Sequence, residues 1–99
     1  MEGGAVISAD VYATYARDSA MRVEGVTRLV GGSRSVSGVR ARVAADSLKV
    51  TVRIAVERGR DATGVAERVQ EAVASYLVAM SDGPAPTVDV VVADIDASQ

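Results

Sequence analysis

Between Leu48 and Val56 every second residue is apolar (Leu48, Val50, Val52, Ile54 and Val56), with Lys49, Thr51, Arg53 and then Glu57 alternating with them. A period of two sends successive side chains to opposite sides of an extended chain, so this segment is a strand with one buried and one solvated face. Such a strand needs neighbours along its edges and a layer over its apolar side. The rest of the chain has to provide both.

The preceding segment supplies a neighbour. Val39, Ala41 and Val43 alternate with Arg40 and Arg42, and Ala45-Asp46-Ser47 gives a tight reversal into the central strand. Val26 to Val30 is a shorter, weakly alternating strand candidate, separated from Val39 by the turn-rich stretch Gly31-Gly32-Ser33-Arg34-Ser35 and by Ser37-Gly38. These three strands are expected to form an antiparallel meander. After Pro84 and Pro86, Thr87 to Ile95 forms a last strand with Val88, Val90 and Val92 on one face and Asp89, Val91 and Ala93 on the other.

Two helices supply the covering layer. Ser8 reads as an N-cap for a helix over about Ala9 to Arg22, in which Tyr12, Ala16, Ser19, Ala20 and Val23 recur at helical spacing. Ile7 and Tyr12 stand where a hydrophobic staple puts its members, and Gly25 comes after the helix where a left-handed residue ends it. Asp61 or Thr63 caps a second helix, whose Val65, Val69, Ala72, Val73, Tyr76 and Met80 form one stripe. Gly83, Pro84 and Pro86 end it.

The order is α-β-β-β-α-β. Strand three, helix two and strand four read as a βαβ unit with those strands parallel. Each helix has one apolar stripe to hide, so the fold expected is a two-layer α/β domain: a mixed four-stranded sheet with both helices on one face. At 99 residues this is a single domain over 1–99, its core at about 7–95.

Composition limits the chemistry. There is no Cys and no His, which removes disulfides, thiolate and imidazole catalysis and most zinc or iron sites. No cofactor or metal site and no catalytic residue is expected. Asp94 with Asp96, or Asp89 with Asp94, could bind a hard cation or simply be solvated acids. Gly31-Gly32-Ser33 lacks a Gly-Lys-Ser ending and leads into a strand, so it reads as a loop and not a phosphate cradle. Met1-Glu2-Gly3-Gly4 lacks the basic and apolar regions of a signal peptide, and no apolar run reaches the roughly 20 residues that span a bilayer.

The net charge of −2 conceals two opposed halves: residues 17 to 60 carry ten basic and four acidic side chains, and residues 61 to 99 carry Arg68 against seven acids. Alternation sends Arg40, Arg42, Lys49 and Arg53 to the sheet face away from the helices. That face is the candidate partner-binding surface. It also reads as a solvated surface neutralised in part by Asp89 and Glu57; a nucleic-acid site is the alternative the sequence disfavours, since the only aromatic residues are Tyr12, Tyr15 and Tyr76. Val78 stands off the stripe of the second helix and is a further candidate contact.

From Ile7 to Ile95 these segments resemble the bacterial alkaline shock protein family, also called the envelope stress response family. The resemblance rests on Ile7-Ser8 opening the first helix, Val23-Glu24-Gly25-Val26 closing it, Gly38-Val39 entering the second strand and the long alternating third strand. Gly59 before the second helix, Val69-Gln70 inside it, Met80 near its end and the valine-rich last strand complete it. The resemblance implies a small, cytoplasmic, non-enzymatic protein with a protein partner or self-association, some relatives being held near the inner membrane face through partner proteins. No catalytic residues come with it. The extended, highly charged tail of many members is not seen in this sequence.

Overall fold

In the computed structural model, residues 8–32, 37–80 and 85–97 are described. The alternating segment is the centre of the sheet: β3 (Ser47–Glu57) is bordered along one edge by the parallel strand β4 (Pro86–Asp96) and along the other by β1 (Val26–Leu29) and β2 (Val39–Ala44), both antiparallel. The second edge is shared end to end. β2 pairs with Ser47–Val52 and β1 with Ile54–Val56, while the backbone of Arg53 between them accepts a hydrogen bond from the Val30 amide (2.9 Å) and donates one to the Gly38 carbonyl (2.8 Å).

The expected mixed four-stranded sheet is therefore present, but β1 does not pair with β2 and the first three strands are not a meander. Across most of its length the sheet is three strands wide. β2 re-enters the same edge of β3 that β1 occupies instead of pairing beside β1. Gly38 makes the re-entry possible: its φ is +84°, and a Cβ there would lie 2.7 Å from Cβ of Leu29.

α1 (Ala9–Met21) and α2 (Ala62–Met80) pack against each other over one face, α1 over β1 and β2 and α2 over β4. The Ser8 side chain accepts a hydrogen bond from the Val11 amide (3.3 Å), as an N-cap does. Ile7, the expected staple partner of Tyr12, lies outside the described residues, as do Gly83 and Pro84. Asp61, not Thr63, precedes α2, and its carbonyl accepts the Val65 amide at 2.9 Å. α1 ends earlier than Gly25, with Arg22 as its C-cap in a right-handed conformation; Gly25, at φ +99°, belongs to the turn that leads into β1, with Cγ2 of Val65 2.8 Å from where a Cβ would stand.

The core joins Val50, Val52, Ile54 and Val56 of β3 to Tyr12, Ala16 and Ala20 of α1, Val65, Val69, Val73 and Leu77 of α2, and Val88 of β4. Burying each of these valines, leucines and isoleucines contributes about 1.5–3 kcal/mol, which makes this cluster the main support of the fold. The α2 stripe differs at its end from the sequence expectation. Leu77 is buried and Met80 is exposed, because Leu77, four residues on from Val73, continues the buried row Val65, Val69 and Val73.

Candidate functional site

The sheet face away from the helices carries the charges. On it β2 contributes Arg40 and Arg42, β3 contributes Lys49, Thr51, Arg53, Ala55 and Glu57, and β4 contributes Thr87, Asp89 and Val91. Register sets these in rows, with Arg42 directly opposite Lys49 and Arg40 opposite Thr51, and on the far side Thr87 opposite Lys49 and Asp89 opposite Thr51. All four sequence candidates, Arg40, Arg42, Lys49 and Arg53, thus lie on one face and toward one end of it.

They are not equivalent. Arg53 is half-buried, and its Nε donates to the Val30 carbonyl at 3.3 Å, so it braces the junction between β1 and β2. Lys49 Nζ lies 3.6 Å from Asp89 Oδ2, both side chains more than half exposed. Neither Arg40 nor Arg42 has an ion pair or a side-chain hydrogen bond among the described residues. Arg40, Arg42, Lys49 and Thr51 line a shallow hollow of about 120 Å³. Asp89 is the carboxylate that reaches this end. Glu57 does not neutralise it: Glu57 Oε1 accepts from Arg60 Nε at 3.0 Å, and Arg60 also holds Glu24 at 3.0 Å.

The opposite end is built by two irregularities. The register of β1 slips between Val26 and Arg28, and that of β4 slips opposite the step from Ile54 to Ala55, leaving Ala93 unpaired. A bulge inserts one residue and re-aims the side chains beyond it. Both slips flank Ala55, and together they turn Arg28, Asp94 and Asp96 onto the outer face. Arg28 then crosses above Ala55 and meets both acids: Nη2 to Asp94 Oδ2 at 2.7 Å, Nη2 to Asp96 Oδ1 at 2.9 Å and Nε to Asp96 Oδ2 at 3.0 Å. The Thr27 hydroxyl donates to Asp96 Oδ2 at 2.6 Å. Ala55, on the face without helices, is fully buried.

Hydrogen bonds from Arg28 and then Thr27 hold the Asp96 carboxyl below its ordinary value. The bonds to Asp96 and then Asp94 raise Arg28 in turn. The two acids that the sequence offered as a cation pair thus enclose a guanidinium. Among the described residues no group of three or more acids is placed to hold a metal ion.

Sequence reasoning missed this cluster. Its signal was a slip of phase: the core-facing apolar positions Val88, Val90 and Val92 are followed by Ile95 instead of residue 94, and Val26 by Leu29 instead of Arg28. Gln70, part of the family resemblance, also acquires a role, its Nε2 donating to the Val88 carbonyl at 2.9 Å. Val78 is 58% exposed, as its place off the stripe implied.

The model of the alkaline shock protein family, described as having a cell envelope-related function, matches residues 1–97. Among curated proteins none matches the chain. Of solved structures, a nickel form of a MamM CTD variant is 18% identical with a TM-score of 0.64, over 91% of this chain and 99% of that one. A copper form of MamM CTD is 18% identical with a TM-score of 0.63, over 91% and 86%. At that identity the likeness is one of fold. Among the described residues no helix is long and apolar enough to cross a membrane.

Proposed function

This chain belongs to the alkaline shock protein family, of cell envelope-related function, and on that premise we propose that it is a non-enzymatic interaction module that binds an acidic protein partner. The contact surface is the basic end of the outer sheet face, with Arg40, Arg42 and Lys49 as contacts and Arg53 bracing the junction of β1 and β2 beside them. The partner holds the chain in the cytoplasm, peripheral to the inner membrane.

One observation carries the reading. The guanidinium groups of Arg40 and Arg42 have no partner among the described residues, although Arg42 stands directly across from Lys49. Like charges directly opposite on adjacent strands destabilise a sheet by a few tenths to about 1 kcal/mol. An acidic surface docked on this end converts that cost into charge-assisted hydrogen bonds, each worth roughly 1.5–3 kcal/mol. Nucleic acid is served less well by the same face. The three tyrosines lie on α1 and α2, so no ring of the sheet can stack on a base.

The test compares the wild-type chain with the double variant R40E/R42E as baits in native lysate that retains its membrane fraction. Loss of an acidic partner by the variant at unchanged melting temperature is the expected result, with capture weakening as the Debye length falls below about 8 Å. Equal capture by both baits removes the basic end from the reading. Retention on immobilised nucleic acid that R40E/R42E abolishes would move the assignment to a phosphate backbone.

A further inference from the structure

We infer that the outer edge of β4 pairs with the same edge of a second copy of this chain, antiparallel and centred on Val91. β4 is bonded to β3 along one side and has no strand on the other among the described residues. Which of its backbone groups face outward is set by the register. The Arg53 N–H and C=O point to the β1/β2 edge, so Val52 and Ile54 point theirs to β4. In a parallel pair the residue opposite a bonding residue turns its own groups away. Val90, opposite Val52, and Val92, opposite Ile54, therefore direct N–H and C=O outward. Val88 does the same, as its hydrogen bond from Gln70 demonstrates.

Both ends of this edge are already closed. Gln70 occupies the carbonyl of Val88, and beyond the bulge at Ala93 the outward Ile95 amide donates to its neighbour's carboxylate, Asp94 Oδ1, at 2.9 Å. What remains is a short open window at Val90 and Val92, flanked by the 39% exposed side chain of Val91. An unpaired strand edge of β-branched residues is a template for another strand.

The window is complementary to itself. With a two-fold axis at Val91, Val90 faces Val92 of the second copy and Val92 faces Val90, and each such pair exchanges both of its N–H···O bonds. The ladder stops where the bulge breaks alternation, so it matches the closed ends. No carboxylate faces another directly: Asp89 falls opposite Ala93 and Asp94 opposite Val88. Asp89 and Asp94 are also already paired, with Lys49 and Arg28. The opposite edge is a poorer self-partner, because β2 carries Arg40 and Arg42 without counter-ions among the described residues. A two-fold contact is closed, and it turns both outer faces to the same side.

A contact this short falls below the size of stable interfaces, so the pair is reversible and concentration-dependent. The test uses the full chain, which has no cysteine of its own. In the proposed register Val91 meets its own copy as a non-hydrogen-bonded pair with Cα atoms about 4.5 Å apart, inside the roughly 4.4–6.8 Å a disulfide spans. Under mild oxidation Val91→Cys should yield a covalent dimer, whereas Val90→Cys, whose counterpart is residue 92, should yield little. Val92→Pro removes an outward N–H and leaves the β3 ladder intact. It should keep the circular dichroism spectrum and lose the dimer that sedimentation equilibrium detects in the wild-type chain. A wild-type chain monomeric at millimolar concentration, equal cross-linking by both cysteine variants, or growth beyond the dimer overturns the proposal.

Discussion

The two ends of the outer sheet face carry the same kinds of residue and use them in opposite ways. At the Ala55 end a single guanidinium, Arg28, is saturated by Asp94 and Asp96, and the sheet beneath it is bulged on both sides. At the Thr51 end the strands are regular, two guanidinium groups have no partner among the described residues, and a third cation has one carboxylate at 3.6 Å. Irregular backbone has been used where charges are to be brought together within the chain. Regular backbone projects them in parallel from adjacent strands and leaves them available to another molecule. Charge alone does not distinguish a surface that stabilises the fold from one that is free to bind. Saturation of its hydrogen-bonding groups does.

The largest effect that could break this contrast is at Ala55. Its methyl group is fully buried beneath Arg28, and the clamp can cross the sheet only because the side chain under it is small. Ala55→Leu forces three more carbons into that space, and overpacking of this kind costs typically about 1–3 kcal/mol. At roughly 4–8 °C per kcal/mol for a domain of this size, thermal melting should fall by several degrees or more. Thr51→Leu, nearer the free end of the same strand, is a surface change expected within about 0.5 kcal/mol. Similar losses in both variants would mean that the two ends are equally packed.

A smaller and more direct comparison removes one arginine from each end. Arg28→Ala leaves Asp94 and Asp96 side by side without their shared cation, and should lower the melting temperature. Arg42→Ala removes a like charge facing Lys49, and should leave the melting temperature unchanged or slightly raised. If the arginine at the free end proves the more important for stability, that end serves the fold and the proposed partner surface loses its main support.

How much of this was legible beforehand depended on the range of the interaction that decides it. The strand at residues 47–57, both helices and the common face of Arg40, Arg42, Lys49 and Arg53 come from local periodicity, and the structure has them. Pairing of β1 with Ile54–Val56 beyond the end of β2 joins segments that no local pattern links, and a meander was the simpler expectation. The bulges lay between these cases. Val92 to Ile95 is a visible break of a period of two, but a slip of phase indicates only that a side chain changes face. That Asp94 and Asp96 meet Arg28 requires β1 and β4 to flank the same residue of β3. Leu77 was missed for a similar reason, because Tyr76 and Leu77 are both apolar and the direction of the sheet decides which is buried.

The smallest expected effect is a dependence on acid that belongs to one end alone. Asp96 has its carboxyl held below the ordinary 3.8 by Arg28 and Thr27. A folded-state value lower than the unfolded one means that ionised Asp96 stabilises the native chain fully above the unfolded value, and that this contribution disappears as pH falls through the lower, folded value. Arg28 is shifted upward from an already high value, so it stays charged throughout that range and adds no slope. Melting temperatures of the wild-type chain and of Asp96→Asn should therefore differ most above about pH 5 and converge as pH drops below about 3.8. The cluster is exposed to solvent, so added salt should narrow the gap at neutral pH as well. The double variant R40Q/R42Q, altered only at the free end and adding no titratable group, should keep the wild-type dependence on acid. A gap between wild type and Asp96→Asn that persists unchanged to about pH 3 would show that the Arg28 clamp stabilises through packing over Ala55 and not through charge.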